Sequence, residues 1–342
     1  MSLHEPLRGV RVVEFEGIGP GPTAARMLVG MGAEVTVLTR PDARSVIGGE
    51  QAANAINPLR EGKRIVECNL KSAQGLEQAL ELVTSADVLI EGNRPGVMER
   101  LGLGPQACLA RNPRLIYGRM TGWGQSGPLA QAAGHDLNYV ALTGLLSLSA
   151  RPGQAPIIPP TVVGDAAGAL GLAFGVACAL ADVRAGGPGR VVDAAIVDIV
   201  AMLGMLAQWI RGRGELDVGT PSPFHDSPHY DTYECSDGRY VSVGVLEPQF
   251  YDLLLKKLGL DEVDRERQNH KEDWPALKER VAALFRTRTQ RQWCELLEGT
   301  DACFAPVLTM AEAAVHPHNV ARSIFRQHAD GNITPAIAPR FL

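Results

Sequence analysis

Short apolar runs alternate with amphipathic stretches along the first 120 residues, and this alternation restricts the fold more than any other feature of the sequence. Strands that are apolar along their whole length and are separated by helices are typical of a parallel sheet covered on both faces. The sequence therefore predicts an α/β fold. The predicted strands are 10–15, 34–38, 64–68, 86–90 and 115–119, and the predicted helices are 23–32, one that Ser72 caps and one that begins at Pro105.

Beyond residue 120 the pattern changes. Residues 121–165 are rich in glycine and proline around one short apolar helix at 137–146, and long apolar helices follow at 166–181 and 194–211. A hairpin is expected at 230–245, because Asp237-Gly238 separates two alternating runs. Helices are expected next at 248–258, 275–287 and 290–298, and Thr289 and Thr309 begin sequences typical of capping boxes.

These segments predict two domains. We expect a large domain at 1–211 with a C-terminal return at about 320–342, a linker at 212–228, a small α+β domain at 229–308 and a second linker at 309–319.

Composition excludes several classes of protein. The chain has 342 residues and a formal net charge of −5, which disfavours a general nucleic-acid binder. The longest apolar run, 166–181, is shorter than the roughly 20 residues of a membrane span, so no membrane span is expected. Six scattered cysteines without a C-x-x-C motif, and an N-terminus without an apolar leader, indicate a cytoplasmic protein with reduced thiols.

A glycine-rich loop after the first strand points to a ligand that carries phosphate. Residues 17–22 resemble the G-x-G-x-x-G dinucleotide motif, but proline stands at the third glycine position. The second strand leads to Arg40 rather than to the acid that NAD needs, so a nicotinamide site would have to be one for NADP. A glycine-rich turn without a ligand is the simpler alternative. Arg40, together with Arg94 after the fourth strand, favours a phosphate site of another kind.

Two candidates for proton transfer, His135 and Asp165, lie at the starts of predicted helices. His135 and Asp136 precede the helix at 137–146, and Asp165 precedes the helix at 166–181. Each has a structural explanation, Asp165 as an N-cap and His135 as a surface or hydrogen-bonded histidine. Together they suggest that His135 and Asp165 exchange protons with opposite faces of a substrate carbon, while amides near Asp136 hold an oxyanion. Glu247 is the candidate to orient the imidazole.

These motifs and their order along the chain resemble those of the class III CoA-transferase (CaiB/BaiF) superfamily, and specifically of its α-methylacyl-CoA racemase branch. The resemblance runs over nearly the whole chain, although residues 41–62 match the family pattern poorly. It is carried by residues 7–14, 17–22, 93–97, 119–128, 134–136, 164–165, 231–240 and 247–251.

The resemblance implies an architecture and residue roles. The family has a large Rossmann-like domain and a smaller domain, and two chains interlock into a homodimer. CoA lies along the large domain, and its acyl thioester reaches a site between subunits. The acid matching Asp165 is common to racemases and transferases and is the nucleophile in transferases. The residue matching His135 marks the racemases, where the glutamate matching Glu247 supports it.

We therefore expect an isomerase that interconverts R and S 2-methylacyl-CoA thioesters through an enolate, with His135 and Asp165 as the catalytic pair. We expect no metal and no redox cofactor, since CoA is part of the substrate. The alternatives are a CoA-transferase with Asp165 as nucleophile, a catalytically silent CoA-binding protein and an NADP oxidoreductase. The expected substrate contacts are Arg40, Arg94, Gly19, Asn93, Gly134 and Tyr139.

Overall fold

The predicted parallel sheet is confirmed in the computed structural model, which describes residues 5–41, 57–151, 153–216, 219–328 and 331–341. The strands lie in the order β3-β2-β1-β4-β5-β6, and all neighbours are parallel. This is the order of a doubly wound, Rossmann-like sheet. The strands are β1 (Arg11–Phe15), β2 (Glu34–Thr39), β3 (Arg64–Glu67), β4 (Val88–Glu91), β5 (Ile116–Thr121) and β6 (Arg190–Ala195).

Burial on both faces of the sheet explains why its strands are continuously apolar. In the central strand β4, Val88 and Ile90 pack into one hydrophobic core, whereas Leu89 packs into a second core on the opposite face. All three side chains are at most 1% exposed. Alternate residues thus enter different cores, and neither face can be polar.

Helices connect and cover these strands. Ser72 caps the second of them as predicted, since its hydroxyl accepts the backbone N–H of Gly75 at 3.1 Å. The helices of this part of the chain are α1 (Pro20–Gly30), α2 (Ala73–Ser85), α3 (Val97–Arg100), α4 (Pro105–Arg111), α5 (Asp136–Leu142), α6 (Asp165–Arg184), α7 (Ile196–Leu203) and α8 (Met205–Arg211).

The predicted helix at 194–211 is wrong at its start. Residues 190–195 form the edge strand β6, and two helices, α7 and α8, follow it. The β-branched residues Val191 and Val192 pair with Tyr117 and Gly118 of β5. The two alanines that end the strand continue without a break into the apolar sequence of α7, so the sequence pattern hides the boundary.

The apolar helix α6 packs against one face of the large sheet. One of its faces, which includes Ala169, Leu172 and Val176, is fully buried in the same core as Val88 and Ile90. Among the described residues, α6 is the one helix long and apolar enough to cross a membrane. Burial against the sheet accounts for the apolar residues of this face, whereas Leu170 and Phe174 of the same helix are exposed.

The C-terminal part of the chain holds a small antiparallel sheet with helices. The predicted hairpin is formed by β7 (Tyr230–Glu234) and β8 (Tyr240–Gly244), and a short strand that the sequence did not predict, β9 (Phe304–Pro306), extends it. Both predicted capping boxes are confirmed, at Thr289 and at Thr309. The remaining elements are α9 (Pro248–Leu258), α10 (Trp274–Phe285), α11 (Gln290–Leu297), α12 (Met310–Val315), α13 (Pro317–Ala321), β10 (Phe325–Gln327) and β11 (Ile333–Pro335).

The chain divides into two compact units. The first comprises residues 1–149, 156–205 and 336–342, and the second comprises 150–155 and 206–335. The second unit has its own core, in which the ring of Tyr233 stacks on Phe285 with centroids 5.1 Å apart. The predicted domain boundaries at 211, 229, 308 and 320 stay predictions.

Candidate active site at the carboxyl edge of the sheet

Three loops meet at the carboxyl edge of the large sheet. The loop after β1 holds Gly19, the loop after β4 holds Asn93 and Arg94, and the loop after β5 leads to His135. The strand order reverses between the neighbours β1 and β4, which is where doubly wound sheets bind ligands. All of these residues belong to the first compact unit.

Asp165 is the first residue of α6, and Gly164, not Asp165, is the N-cap residue. The carboxyl group of Asp165 therefore does not cap its helix, and the expectation of Asp165 as an N-cap residue is wrong. Burial raises the pKa of Asp165, Asp136 raises it further, and His135 lowers it. The structure thus brings His135, Asp136 and Asp165 into one electrostatic neighbourhood.

Gly19 lies directly against Asp165. A Cβ atom at Gly19 would be 3.3 Å from Oδ2 of Asp165. The glycine-rich loop therefore makes room for the carboxylate that the sequence singles out.

The other end of this loop is anchored by a buried ion pair. Nζ of Lys63 lies 2.6 Å from Oε2 of Glu14 on β1 and donates to the carbonyl oxygen of Pro22 at 2.9 Å. Lys63 and Glu14 side chains are only 1% and 3% exposed. Lys63 is therefore buried and holds the loop in place.

Asp136 is buried, and its carboxylate faces the start of α6. Oδ2 accepts the backbone N–H groups of Gly164 and Asp165, both at 2.8 Å. Within the part of the chain that the structure describes, Oδ1 has no hydrogen-bond partner. Asp136 therefore acts on the backbone that carries Asp165.

His135 occupies the N-cap position of α5 and is exposed. Its backbone N–H donates to Oδ1 of Asn138 at 3.0 Å. Asn138, three residues after the N-cap, is a positioning residue that sequence reasoning did not select. The i, i+3 spacing of polar side chains at a helix start was the signal that could have found it.

Tyr139 fixes the segment before His135. Its hydroxyl donates a hydrogen bond to the carbonyl oxygen of Gly134, and its ring meets Trp123 edge-on with centroids 4.7 Å apart. Burial raises the pKa of Tyr139, Asp165 raises it further, and Arg94 lowers it. Tyr139 thus lies within electrostatic reach of both Asp165 and Arg94.

Asn93 and Arg94 follow the buried end of β4. The backbone N–H of Asn93 donates to Oε2 of Glu91 at 2.7 Å, and Oε1 of Glu91 accepts from Nε of Arg119 at 3.0 Å. This arrangement fixes the backbone that presents the exposed side chain of Arg94. Arg40 is also exposed, immediately after β2.

Glu247 lies in the second compact unit, at the N-cap of α9, and is exposed. Its predicted support of His135 stays a prediction.

Comparison with known proteins assigns the chain to a family. A family model described as CoA-transferase family III matches residues 7–342. The chain belongs to CoA-transferase family III.

Named relatives of this family III protein have two kinds of activity. It is 40% identical to the human alpha-methylacyl-CoA racemase over 346 residues, which cover 98% of this chain and 86% of the relative. It is 27% identical to the succinate–glutarate CoA-transferase of Agrobacterium fabrum, with 97% and 88% covered. The crystal structure of Rv3272 from Mycobacterium tuberculosis superposes on it with a TM-score of 0.82 at 26% identity, covering 100% of this chain and 94% of that one.

Within the described ranges, the family III protein has no group of three or more His, Cys, Asp or Glu side chains arranged to hold a metal ion. The polar groups at the sheet edge are instead one imidazole, two carboxyl groups, a phenol and exposed guanidinium groups. Such a set can bind an anionic ligand and transfer protons.

Proposed function

We propose that this protein is an α-methylacyl-CoA racemase, which interconverts R and S 2-methylacyl-CoA thioesters by moving the α-proton through an enolate. The 40% identity to the human racemase supports this activity. Acyl-CoA as the substrate is consistent with the family and with exposed arginines at the sheet edge.

One observation carries the proposal. His135 precedes Asp136 in the chain, and the carboxylate of Asp136 accepts the backbone N–H of Asp165 at 2.8 Å. A single peptide bond and a single hydrogen bond thus connect the backbones of the two proposed proton-transfer residues. Gly19 leaves room for the Asp165 carboxyl beside the glycine-rich loop, and Asp165 is only partly buried.

The reaction needs a base and an acid on opposite faces of the α-carbon. In one direction the C–H bond breaks, its proton passes to one of His135 and Asp165, and its electron pair forms the enolate. The other residue then returns a proton to the opposite face. A positioned base or acid contributes about 10²–10⁴-fold to such a step. The backbone amide of Asp136 is the candidate to hold the enolate oxygen.

The remaining predicted contacts serve the CoA part of the substrate. Arg40 and Arg94 carry positive charge at the ends of β2 and β4, where phosphate or pantetheine groups can approach. Gly19, Asn93, Gly134 and Tyr139 shape the loops around them. CoA arrives as part of the substrate, and the proposed reaction uses neither a metal nor a redox cofactor.

The proposal includes an interlocked homodimer with the acyl group bound between subunits. Exposed apolar residues support it, because α6 presents Leu170 and Phe174 with 54% and 66% of their surfaces accessible. Large exposed apolar patches usually mark interaction surfaces. We further propose a cytoplasmic location, as the composition predicts.

Incubation of the pure protein with single enantiomers of several 2-methylacyl-CoAs in D₂O tests the activity. We expect deuterium at the α-carbon and loss of optical activity together. If neither occurs with any member of the panel, the racemase proposal fails.

The alternative activity is that of a CoA-transferase with Asp165 as nucleophile, because one of the relatives is a CoA-transferase. It predicts an acyl-aspartyl intermediate that hydroxylamine traps and a requirement for a carboxylate acceptor. Racemisation without an acceptor, and without a trapped adduct, would exclude it.

A further inference from the structure

Helix α6 begins against the carboxylate of Asp136. Oδ2 of Asp136 accepts two backbone N–H groups there, from Gly164 and Asp165. A Cβ atom at Gly164 would lie 2.8 Å from this oxygen and 3.0 Å from the carbonyl oxygen of Asp136. Glycine at 164 therefore leaves the space that the carboxylate occupies.

The next amide of the helix is also engaged, since the N–H of Ala166 donates to the carbonyl oxygen of Thr161 at 3.2 Å. Amides at a helix start ordinarily stabilise a carboxylate placed there and lower its pKa. At α6, the amides of Gly164, Asp165 and Ala166 donate to Asp136 and Thr161 instead. The Asp165 carboxyl therefore lies at a helix start whose first three backbone amides are already hydrogen-bonded to other acceptors.

We infer that Asp136 is a positioning residue: its carboxylate takes the amides at the start of α6 and, as a neighbouring negative charge, keeps the proton on the catalytic carboxyl of Asp165. This inference rests on the proposed racemase function and adds a division of labour within it. Asp165 transfers the proton, whereas Asp136 holds the backbone of Asp165 and sets its charge state.

The charged groups around Asp165 agree with this role. Burial contributes most to the raised pKa of Asp165, Asp136 is the next cause, and His135 opposes both. Tyr139 and Arg94 lie in the same neighbourhood. In the nearby loop after β1, Gly19 carries no charge, and the negative charge of Glu16 is paired with Arg60. Asp136 is thus the identified negative charge that acts on Asp165.

This arrangement suits the removal of a proton from carbon. A carboxyl whose pKa lies closer to the working pH is a stronger base when ionised, and a larger fraction of it is protonated and available to return a proton. An aspartate left to the helix amides would ionise more readily and would be a weaker base. Asp136 prevents that.

The test is Asp136→Asn, whose side-chain oxygen can still accept both amides while the negative charge is removed. The first measurement is a carbon-13 titration of the Asp165 carboxyl in the substrate-free protein, with the signal assigned by its loss in Asp165→Asn. The second is the pH profile of α-proton exchange with a 2-methylacyl-CoA. Asp198→Asn is the matched control, since Asp198 is an exposed acid in the first turn of the neighbouring helix α7.

We expect Asp136→Asn to move the Asp165 titration, and the limb of the pH profile that reports it, to lower pH. In the direction in which Asp165 is the base, the plateau rate should fall by about three- to tenfold. Asp198→Asn should leave the titration and the profile unchanged. If Asp136→Asn does not fold, Asp136→Ser supplies a smaller neutral side chain for the same measurements.

An Asp165 titration that stays in place, or moves to higher pH, in the neutral variants would overturn the inference. Failure of the proposed function has a different signature, because the titration needs no substrate. In that case Asp165 would still respond to Asp136→Asn while the wild-type protein exchanged no α-proton.

Discussion

Gly19 and Asp165 approach each other so closely that a Cβ atom on the glycine would lie 3.3 Å from Oδ2 of the carboxylate. Gly19 also has a φ of 72° and a ψ of −119°, a conformation that residues with a side chain rarely adopt. The backbone therefore requires glycine at this point of the loop, and a Cβ atom there would force the Asp165 carboxyl to shift. The relationship places the glycine-rich loop at the acid–base residues, and not only at a phosphate.

Gly19→Ala should accordingly slow α-proton exchange by about 10- to 100-fold, because the new methyl group displaces the Asp165 carboxyl. Backbone strain should cost about 1–3 kcal/mol of stability. Gly17→Ala is the control, since its Cβ would meet no atom closer than 3.9 Å. Steady-state exchange and thermal unfolding measure both effects, and full activity in Gly19→Ala would refute the proposed proximity.

Tyr139→Phe should lower activity more than it lowers stability. The variant loses the hydrogen bond to the Gly134 carbonyl, so the backbone before His135 is held less firmly. We expect a loss of about 0.5–1.5 kcal/mol in unfolding free energy and about a three- to tenfold lower exchange rate.

Tyr117→Phe provides a matched control, because the buried hydroxyl of Tyr117 donates to the carbonyl of Leu103 at 2.8 Å on the other side of the sheet. It should lose similar stability and keep the wild-type rate. Equal rate losses in both variants would show that Tyr139 acts only through stability.

The buried pair of Glu14 and Lys63 should behave as a coupled unit. Burial raises the pKa of Glu14 and lowers that of Lys63, and each charge opposes the shift of the other. Lys63→Met leaves a buried carboxylate without its partner and should cost about 3–5 kcal/mol. The double variant Glu14→Gln with Lys63→Met should recover part of that loss in urea unfolding. Additive losses would contradict the coupling.

His229 should make stability depend on pH. It is 1% exposed, and burial, with a smaller contribution from Lys278, lowers its pKa from 6.5 to about 4. Between these two values the unfolded chain binds a proton that the folded protein does not. Stability supplied by neutral His229 is therefore complete above about pH 6.5 and is lost as the pH falls toward about 4.

His229→Phe should flatten this part of the stability profile, whereas the exposed His270 replaced by Gln should not. Urea unfolding at several pH values between 4 and 7 makes the comparison. An unchanged slope in His229→Phe would assign the pH dependence to other groups.

Much of the fold could be predicted because the central strands bury both faces. β4 places apolar side chains in two cores, so its sequence is apolar throughout and indicates a strand that is buried on both faces. The edge strand β6 was missed because Arg190 to Asp193 are largely exposed or intermediate and only its last two residues are buried. Three-residue strands such as β9 are too short to show alternation.

The candidate site was predictable as residue types but not as contacts. His135, Asp136 and Asp165 stand out as acid–base groups beside helix starts. That Asp136 serves the backbone of Asp165, 29 residues further along, depends on an irregular connection that periodicity does not describe. The ion pair of Lys63 with Glu14 could not be predicted either, because Glu14 lies in β1, 49 residues earlier.

Deuterium exchange from each enantiomer separately, in His135→Ala and Asp165→Asn, tests whether these two residues act on opposite faces of the α-carbon. If His135 and Asp165 serve opposite faces of the α-carbon, both variants lose inversion. Each should keep exchange with only one enantiomer, and the retained enantiomer should differ between them. Inversion at the wild-type rate in either variant, or exchange of both enantiomers in both, would contradict the two-residue mechanism.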